Sequence, residues 1–215
     1  MNYTFSDSLP DRLRQAVSLS WLVFREQVGH QRLPINKEAS MQLHYSYILR
    51  GILPMVLHRP GEEAQIELET GVVVDGRTRE MDLKLVGRSP NEKHTIAVEM
   101  KCYRKLASSG KPRGAQDIFR KDVYEDLALL EKYRIQGHAD CGVSLVMTDH
   151  RPLVHPKTKE GKCHDYDISQ DTAFDGIKIN TPIGGKDIEI QLKGGYQFHW
   201  TAVGTYFFLE IEDRG

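Results

Sequence analysis

Two neighbouring segments of alternating apolar and polar residues constrain the fold of this chain most. They are residues 79–87 (REMDLKLVG) and residues 95–103 (TIAVEMKCY). Because successive side chains of a strand point to opposite faces, this alternation predicts two half-buried β-strands. Residues 89–93 (SPNEK) between them have the composition of a turn. We therefore expect the two strands to pair as antiparallel neighbours.

Three polar residues of these strands suit phosphate chemistry. If the polar faces of the two strands coincide, Asp82 approaches Glu99 and Lys101 across the pair. Carboxylates bind Mg²⁺, a hard cation that takes oxygen ligands and keeps several waters. A bound metal ion activates a water molecule, and a lysine can orient that water or neutralise charge on a phosphoryl group. The pattern indicates a candidate catalytic site of Asp82, Glu99 and Lys101.

The same residues carry a resemblance to a known family. Asp82 followed by Glu99-Met100-Lys101 resembles the PD-(D/E)xK motif of the restriction-endonuclease-like nucleases, with Met81 where that motif often has proline. The resemblance implies that Asp82, Glu99 and the main-chain carbonyl of Met100 hold Mg²⁺ or Mn²⁺.

The resemblance also implies an acidic residue on the helix that precedes the strands. Glu38 is the candidate for this fourth catalytic residue, with Gln42 beside it on the same helix face. A first-turn acid that only favours the helix dipole is the alternative for Glu38.

The surrounding pattern predicts further helices and strands. Apolar periodicity favours helices over residues 8–29, from about residue 36 to near Pro54, and over residues 116–133. Residues 64–74 read as a strand, and the continuous apolar run 141–148 is typical of a strand buried on both faces. A right-handed crossover places that last strand parallel to the one that carries Glu99.

The resulting αβββαβ order is the common core of the superfamily, so we expect an α/β (α+β) fold with a mixed central sheet flanked by helices. The 215 residues fit a single domain. We divide it into a helical N-terminal extension (1–35), the core (36–149) and a β-rich C-terminal extension (150–215). Extra strands are expected over residues 188–192, 196–201 and 206–211, with a turn at Gly194-Gly195, as an added hairpin or as edge strands.

Basic residues cluster after the predicted strand that carries Glu99. Residues 104–114 form a flexible loop beside the expected site, and a helix follows. We predict phosphate contacts from Arg104, Lys105, Lys111, Arg113, Arg120 and Lys121. A solvated loop, and surface ion pairs such as Lys121 with Glu125, are the alternatives.

Other polar and aromatic groups are less specific. Glu67 and Glu69 lie on the polar side of the first strand, where a solvated face is the more common role. The spacing of His150, His155, Cys163 and His164 fits no standard zinc finger. Base stacking is open to Tyr196, Phe198, His199 and Trp200, although core packing is the more common role of strand aromatics.

Composition limits the setting. The formal net charge of −1 shows no overall basic footprint, which does not exclude a locally basic cleft. No apolar run is long enough to span a bilayer, the first seven residues lack signal-peptide features, and three scattered cysteines favour a reducing compartment. We expect a cytoplasmic protein with no membrane partner.

The leading hypothesis is a metal-dependent endonuclease that hydrolyses DNA phosphodiester bonds, with a restriction or defence role by analogy and RNA left open. Cutting both strands of a duplex with one site per chain favours a homodimer. Two alternatives remain. The first is a non-catalytic nucleic-acid-binding or assembly subunit with the same fold. The second is an unrelated β-rich module in which Lys101 merely pairs with Glu99 or Asp82.

Overall fold

The computed structural model describes residues 6–107, 109–185 and 187–213, without the side chain of Cys163. Its first two elements are the helices α1 (Leu9–Gly29) and α2 (Glu38–Val56). Ser8 caps α1, because its side chain accepts a hydrogen bond from the backbone N–H of Asp11. Residues 1–5, on which the expectation about a signal peptide depends, lie outside the described residues.

Six strands form one mixed sheet in the order β1-β2-β3-β4-β8-β7. These strands are β1 (Glu63–Val74), β2 (Arg77–Arg88), β3 (Lys93–Tyr103), β4 (Cys141–Thr148), β7 (Thr201–Val203) and β8 (Tyr206–Asp213). Helix α3 (Gln116–Ile135) connects β3 to β4, which pair in parallel, and the other neighbouring strands are antiparallel. The expected order of one helix, three antiparallel strands, a helix and a parallel strand is confirmed.

Helices cover both faces of this sheet. Helices α1 and α2 pack on one face, where Val98 and Met100 of β3 are buried. Helix α3 packs on the other face, against Ala97 of β3 and Val146 of β4. Alternate residues of β3 therefore enter two different cores, and the second face, which also carries Glu99 and Lys101, looks toward α3.

The predicted alternation of β2 is wrong at one residue. Leu83 and Leu85 pack on the side of α1 and α2, but Met81 packs in the core on the α3 side. The β1–β2 register pairs Leu68 with Leu83, and Glu69 at the next position of β1 has a left-handed φ of 53°. A left-handed residue interrupts the regular pleat of a strand. Side chains before and after it need not continue one alternating pattern.

The C-terminal region differs from the sequence prediction. Strands β5 (Ala173–Ile179) and β6 (Ile190–Gln197) form a separate two-stranded sheet. The turn predicted at Gly194-Gly195 is wrong, because both residues lie inside β6; Gly184 and Gly185, both with positive φ, lie in the connection instead. Strand β8 is not an edge strand, because it pairs with β4 on one side and β7 on the other.

Two short elements complete the chain, namely α4 (Arg151–Val154) and a 3₁₀ helix (Lys162–Tyr166). In the ranges described above, no helix is both long and apolar enough to cross a membrane.

Candidate active site

The structure brings Asp82, Glu99 and Lys101 together. The β2–β3 ladder ends at the pair Leu83–Val98, and Asp82 and Glu99 are the next residues of the two strands. The side chain of Asp82 accepts a hydrogen bond of 2.6 Å from the backbone N–H of Met100. It also interacts directly with the carboxyl group of Glu99. The shared polar face expected from the sequence is therefore present.

Glu99 is an unusual carboxyl group because it is almost completely buried. Only 4% of the residue is exposed, and its Oε1 atom has no hydrogen-bond partner among the described residues. Burial, together with nearby Asp126 and Asp82, raises the pKa of Glu99 well above its ordinary value. Burial also raises the pKa of Asp82, although Lys101 opposes this shift. Two carboxyl groups in direct contact cannot both stay ionised unless a cation lies between them, and otherwise one of them keeps its proton.

Asp126 of α3 is a fourth acid that the sequence analysis missed. The residue is 5% exposed, and its Oδ2 atom lies 3.2 Å from Nζ of Lys101. Burial raises the pKa of Asp126 to about 8. The sequence does hold a signal, since Asp126 falls at helical spacing between the buried Val123 and Leu130. An acid within an apolar helix stripe indicates a buried polar partner.

Lys101 lies among these acids and contacts one acid from each of two helices, α2 and α3. Its Nζ atom is 3.2 Å from Asp126 on α3 and 3.5 Å from Oε1 of Glu38 on α2. Burial alone would lower the pKa of Lys101, but the surrounding carboxyl groups outweigh it and raise the pKa. Lys101 is therefore a cation at neutral pH, suited to stabilising negative charge rather than to removing a proton.

Both residues predicted on α2 reach the site. Glu38 is the first residue of the helix and lies partly exposed beside Lys101, and burial raises its pKa. Gln42, one turn further, donates a hydrogen bond of 2.5 Å from Nε2 to the backbone carbonyl of Asp82. Gln42 thus fixes the β2 main chain at the residue that carries the carboxylate.

The donor set fits a divalent cation in part. Asp82, Glu99 and the Met100 carbonyl are the hard oxygen donors that Mg²⁺ and Mn²⁺ take, and the unpartnered Oε1 of Glu99 is a buried atom in need of a positive partner. Within the described part of the chain, however, no group of three or more His, Cys, Asp or Glu side chains has the geometry of a metal site. A cation here would depend on two carboxylates, a carbonyl and water.

Some of the residues predicted to contact phosphate have intramolecular partners, and others are exposed. Arg104 is held inside the protein: Nε donates 2.9 Å to Asp149, Nη1 donates to the Ile35 carbonyl, and the guanidinium lies 5.0 Å over the ring of Tyr206. Lys105 is exposed, and its backbone N–H donates to Asp149. The structure therefore gives Arg104 a structural role whatever it does with a ligand.

The loop after β3 folds back on itself. Leu106 and Pro112 form an isolated β-bridge, and the Ala107 N–H donates 2.9 Å to the Lys111 carbonyl. Lys111 is exposed at the end of this loop. Arg113 lies 5.9 Å over the ring of Tyr103, whose hydroxyl donates 2.7 Å to the Arg113 carbonyl. Ser108, in the same loop, lies outside the described residues.

The two basic residues predicted on α3 have intramolecular partners. Arg120 is buried, with Nη1 3.5 Å from Asp167 and Nη2 3.4 Å from the Pro152 carbonyl. Lys121 pairs with Asp122 at 2.9 Å and with Glu125 at 3.1 Å, as in the alternative given for it.

The other polar and aromatic residues considered in the sequence mostly have roles in ion pairs or in the core. Glu67 pairs with Lys84 at 3.3 Å. Tyr196, Phe198 and Trp200 are buried in the core on the α3 side, whereas His199 is exposed. A zinc site is also absent around His150, His155 and His164 as far as the structure describes them, and the fourth member of that set, the side chain of Cys163, lies outside the described residues.

Comparisons of the chain with models of protein families, with curated proteins and with solved structures find no match.

Proposed function

We propose that this protein is a metal-dependent nuclease that hydrolyses phosphodiester bonds of DNA. The observation that carries the proposal is the environment of Glu99. A buried carboxyl group, one oxygen of which has no hydrogen-bond partner in the described part of the chain, lies against Asp82 on the face that presents Lys101. Burying polar groups without partners costs free energy, so such an arrangement calls for a functional explanation.

Each residue has a role in this proposal. Asp82, Glu99 and the Met100 carbonyl would hold Mg²⁺ or Mn²⁺, and the bound ion would supply an activated water and charge stabilisation at the phosphoryl group. Lys101, held as a cation, stabilises negative charge on the phosphate oxygens. Glu38 and Asp126 fix its ammonium group in place.

The order of helices and strands supports membership of the PD-(D/E)xK superfamily, and a restriction or defence role follows by analogy with that superfamily alone. Cutting both strands of a duplex would require two copies of the site, which favours a two-fold symmetric homodimer. Two cysteines that the structure describes, Cys102 and Cys141, are free thiols, in keeping with the cytoplasmic setting expected from the sequence.

One observation favours a second candidate, a non-catalytic nucleic-acid-binding subunit. The Lys101 ammonium already has two acidic partners inside the protein. A protein that only needed a stable buried network could keep these residues for that purpose. In that case a divalent cation would not change the activity or the stability of the protein.

A cleavage assay separates these functions. Supercoiled plasmid, linear duplex, single-stranded DNA and RNA are each incubated with the protein in Mg²⁺, Mn²⁺ or EDTA. We expect metal-dependent cutting of DNA that Asp82→Ala and Lys101→Ala abolish while both variants keep the wild-type circular dichroism spectrum. Absence of cutting for every substrate, with nucleic-acid binding retained, would favour the non-catalytic subunit instead.

A further inference from the structure

A basic cleft lies beside the candidate active site. It encloses about 620 Å³ between the first residues of α3 and the segment that runs from α4 to the 3₁₀ helix. Its charged and titratable lining residues are Asp117, Arg120, Arg151, His155, Lys157 and His164. Three permanent cations therefore face one carboxylate, and the cleft has a net positive lining.

Two of these cations are available to a ligand. Arg151 and Lys157 are exposed, and in the described parts of the chain neither side chain has a hydrogen-bond or ion-pair partner. Arg120 differs, since Asp167 and the Pro152 carbonyl hold it in the wall of the cleft. The cleft thus combines a fixed guanidinium with two cations that are free to close on an anion.

His164 adds a neutral polar group to the same wall. Its Nδ1 atom is buried and has no hydrogen-bond partner among the described residues. Burial, and next the charge of Arg120, lower the pKa of His164, so the imidazole is uncharged at neutral pH. A neutral imidazole can donate one N–H to an anionic oxygen.

A short chain of contacts connects the cleft to the candidate site. Tyr103 follows Lys101 by two positions on β3, and its ring lies 5.2 Å from Phe119 and 5.6 Å from His150. Phe119 precedes Arg120, and His150 precedes Arg151. Along α3, Arg120 is six residues from Asp126, which is roughly 9 Å at 1.5 Å per residue.

We propose that this cleft binds a backbone phosphate of the nucleic-acid substrate beside the bond that is cut. This inference rests on the proposed function. Arg151 and Lys157 neutralise the phosphate, Arg120 supplies fixed positive charge, and the uncharged imidazole of His164 completes the wall. Two of the contacts come from α4 and the segment that follows it. The region after the core therefore contributes to substrate binding rather than only to the size of the fold.

The test measures binding without cleavage. Anisotropy of a labelled single-stranded oligonucleotide is titrated in EDTA at several salt concentrations, with wild type and with the double variant Arg151→Gln/Lys157→Gln. Arg50→Gln/Lys93→Gln, which removes two exposed charges away from the cleft, is the matched control. Inorganic phosphate is added as a competitor in a parallel arm, to separate a site for phosphate alone from one that needs the polynucleotide.

Loss of this one phosphate contact reduces the magnitude of the slope of log K against log salt by about 0.7, which is roughly a 5-fold loss of affinity at 0.1 M salt. We expect this change in the cleft variant and the wild-type slope in the control. Competition by millimolar inorganic phosphate would place the recognition in the phosphate group itself; without it, the polynucleotide is required. A cleft variant with the wild-type slope would overturn the proposal.

The two proposals fail in different ways. If the slope changes as expected but no substrate is cut in Mg²⁺, the cleft stands and the nuclease function fails. If DNA is cut and the cleft variant binds as wild type does, the cleft alone fails. A wild-type protein that binds no oligonucleotide would overturn the cleft and leave no support for the nuclease.

Discussion

Lys101 of β3 and Asp126 of α3 form an ion pair of 3.2 Å across the interface between the sheet and the helix. The pair connects the residue expected to stabilise a phosphate with a helix acid that the motif does not include. Since Glu38 holds the same ammonium from α2, the position of Lys101 depends on both helices that flank the strand. The orientation of Lys101 is therefore a property of the fold rather than of the three-residue motif alone.

Asp126→Asn should lower the cleavage rate while leaving the fold intact. Burial raises the pKa of Asp126 to about 8, so the amide resembles the form present at pH 7 and stability should change by less than about 1 kcal/mol. Loss of the carboxyl oxygen that lies 3.2 Å from Nζ should loosen Lys101 and lower the rate roughly 10- to 100-fold, as for other supporting residues. Single-turnover rates and chemical denaturation measure the two effects.

The matched control is Asp122→Asn on the same helix, whose acid pairs with Lys121 and is half-exposed. It should keep the wild-type rate. Equal rates for the Asp126 variant and the wild type would show that the pair is only structural.

Two buried glutamates should respond oppositely to the same substitution. Glu99 has an unpartnered oxygen, whereas Glu131 accepts hydrogen bonds from the backbone N–H groups of Lys193 and Gly194 and from the Tyr196 hydroxyl. Glu99→Gln should raise the free energy of unfolding without metal by about 1 kcal/mol, and Glu131→Gln should lower it by about 1–3 kcal/mol. Thermal and denaturant unfolding in EDTA test this contrast. Destabilisation by both would mean that Glu99 is satisfied in the folded protein.

The sequence was sufficient for most of the core because periodicity is a local property. The β2–β3 pair, α3 and the parallel strand β4 all follow from apolar spacing and turn residues, and the proximity of Asp82 to Glu99 follows from strand register. Gln42 and Glu38 reach the site for the same reason, since one helical turn separates them.

The features that could not be predicted from the sequence depend on tertiary context. Met81 packs on the opposite side of the sheet from Leu83, next to the left-handed Glu69 of β1, and no residue type in the sequence indicates this. Whether β8 lies at an edge or inside the sheet depends on a pairing with β4 some 60 residues away in the chain. Apolar periodicity alone does not pick out Asp126, which lies in the apolar stripe of α3. The sequence predicts a phosphate contact for Arg120, and its burial depends on tertiary neighbours.

Acid should weaken the protein through the contact between Arg12 and Glu62. The side chains are almost fully buried, and Arg12 holds the pKa of Glu62 at about 2. Because this pKa is depressed in the folded state, the stabilisation is present above the unfolded pKa of about 4.5 and is lost as pH falls toward 2. We expect a loss of about 1–3 kcal/mol.

Denaturant unfolding at several values between pH 2 and pH 7 measures this effect. Glu62→Gln should be less stable than wild type at pH 7 and should lack this part of the acid dependence. Glu63→Gln, whose acid is 68% exposed, should behave as wild type. Wild-type acid dependence in the Glu62 variant would contradict the assignment.

Arg104 and Lys111 belong to the same basic segment but should behave differently. Arg104→Ala removes contacts to Asp149, to the Ile35 carbonyl and to Tyr206, and should cost about 1–3 kcal/mol of stability. Lys111→Ala should change stability by less than about 0.5 kcal/mol. It should instead lower the salt slope of DNA binding by roughly 0.7 to 0.9. Denaturant unfolding measures the stability of both variants, and DNA titrations at several salt concentrations measure the slope. An unchanged slope for Lys111→Ala would show that Lys111 does not contact DNA phosphate.

The central claim is that Asp82 and Glu99 hold a divalent cation, and calorimetric titration with Mn²⁺ tests it most directly. Wild type and Glu67→Gln, an acid of the neighbouring strand that pairs with Lys84, should each bind Mn²⁺ at a single site per chain. Glu99→Gln should lose that site while remaining folded. Equal Mn²⁺ binding by wild type and the Glu99 variant, or no binding by either, would contradict the account.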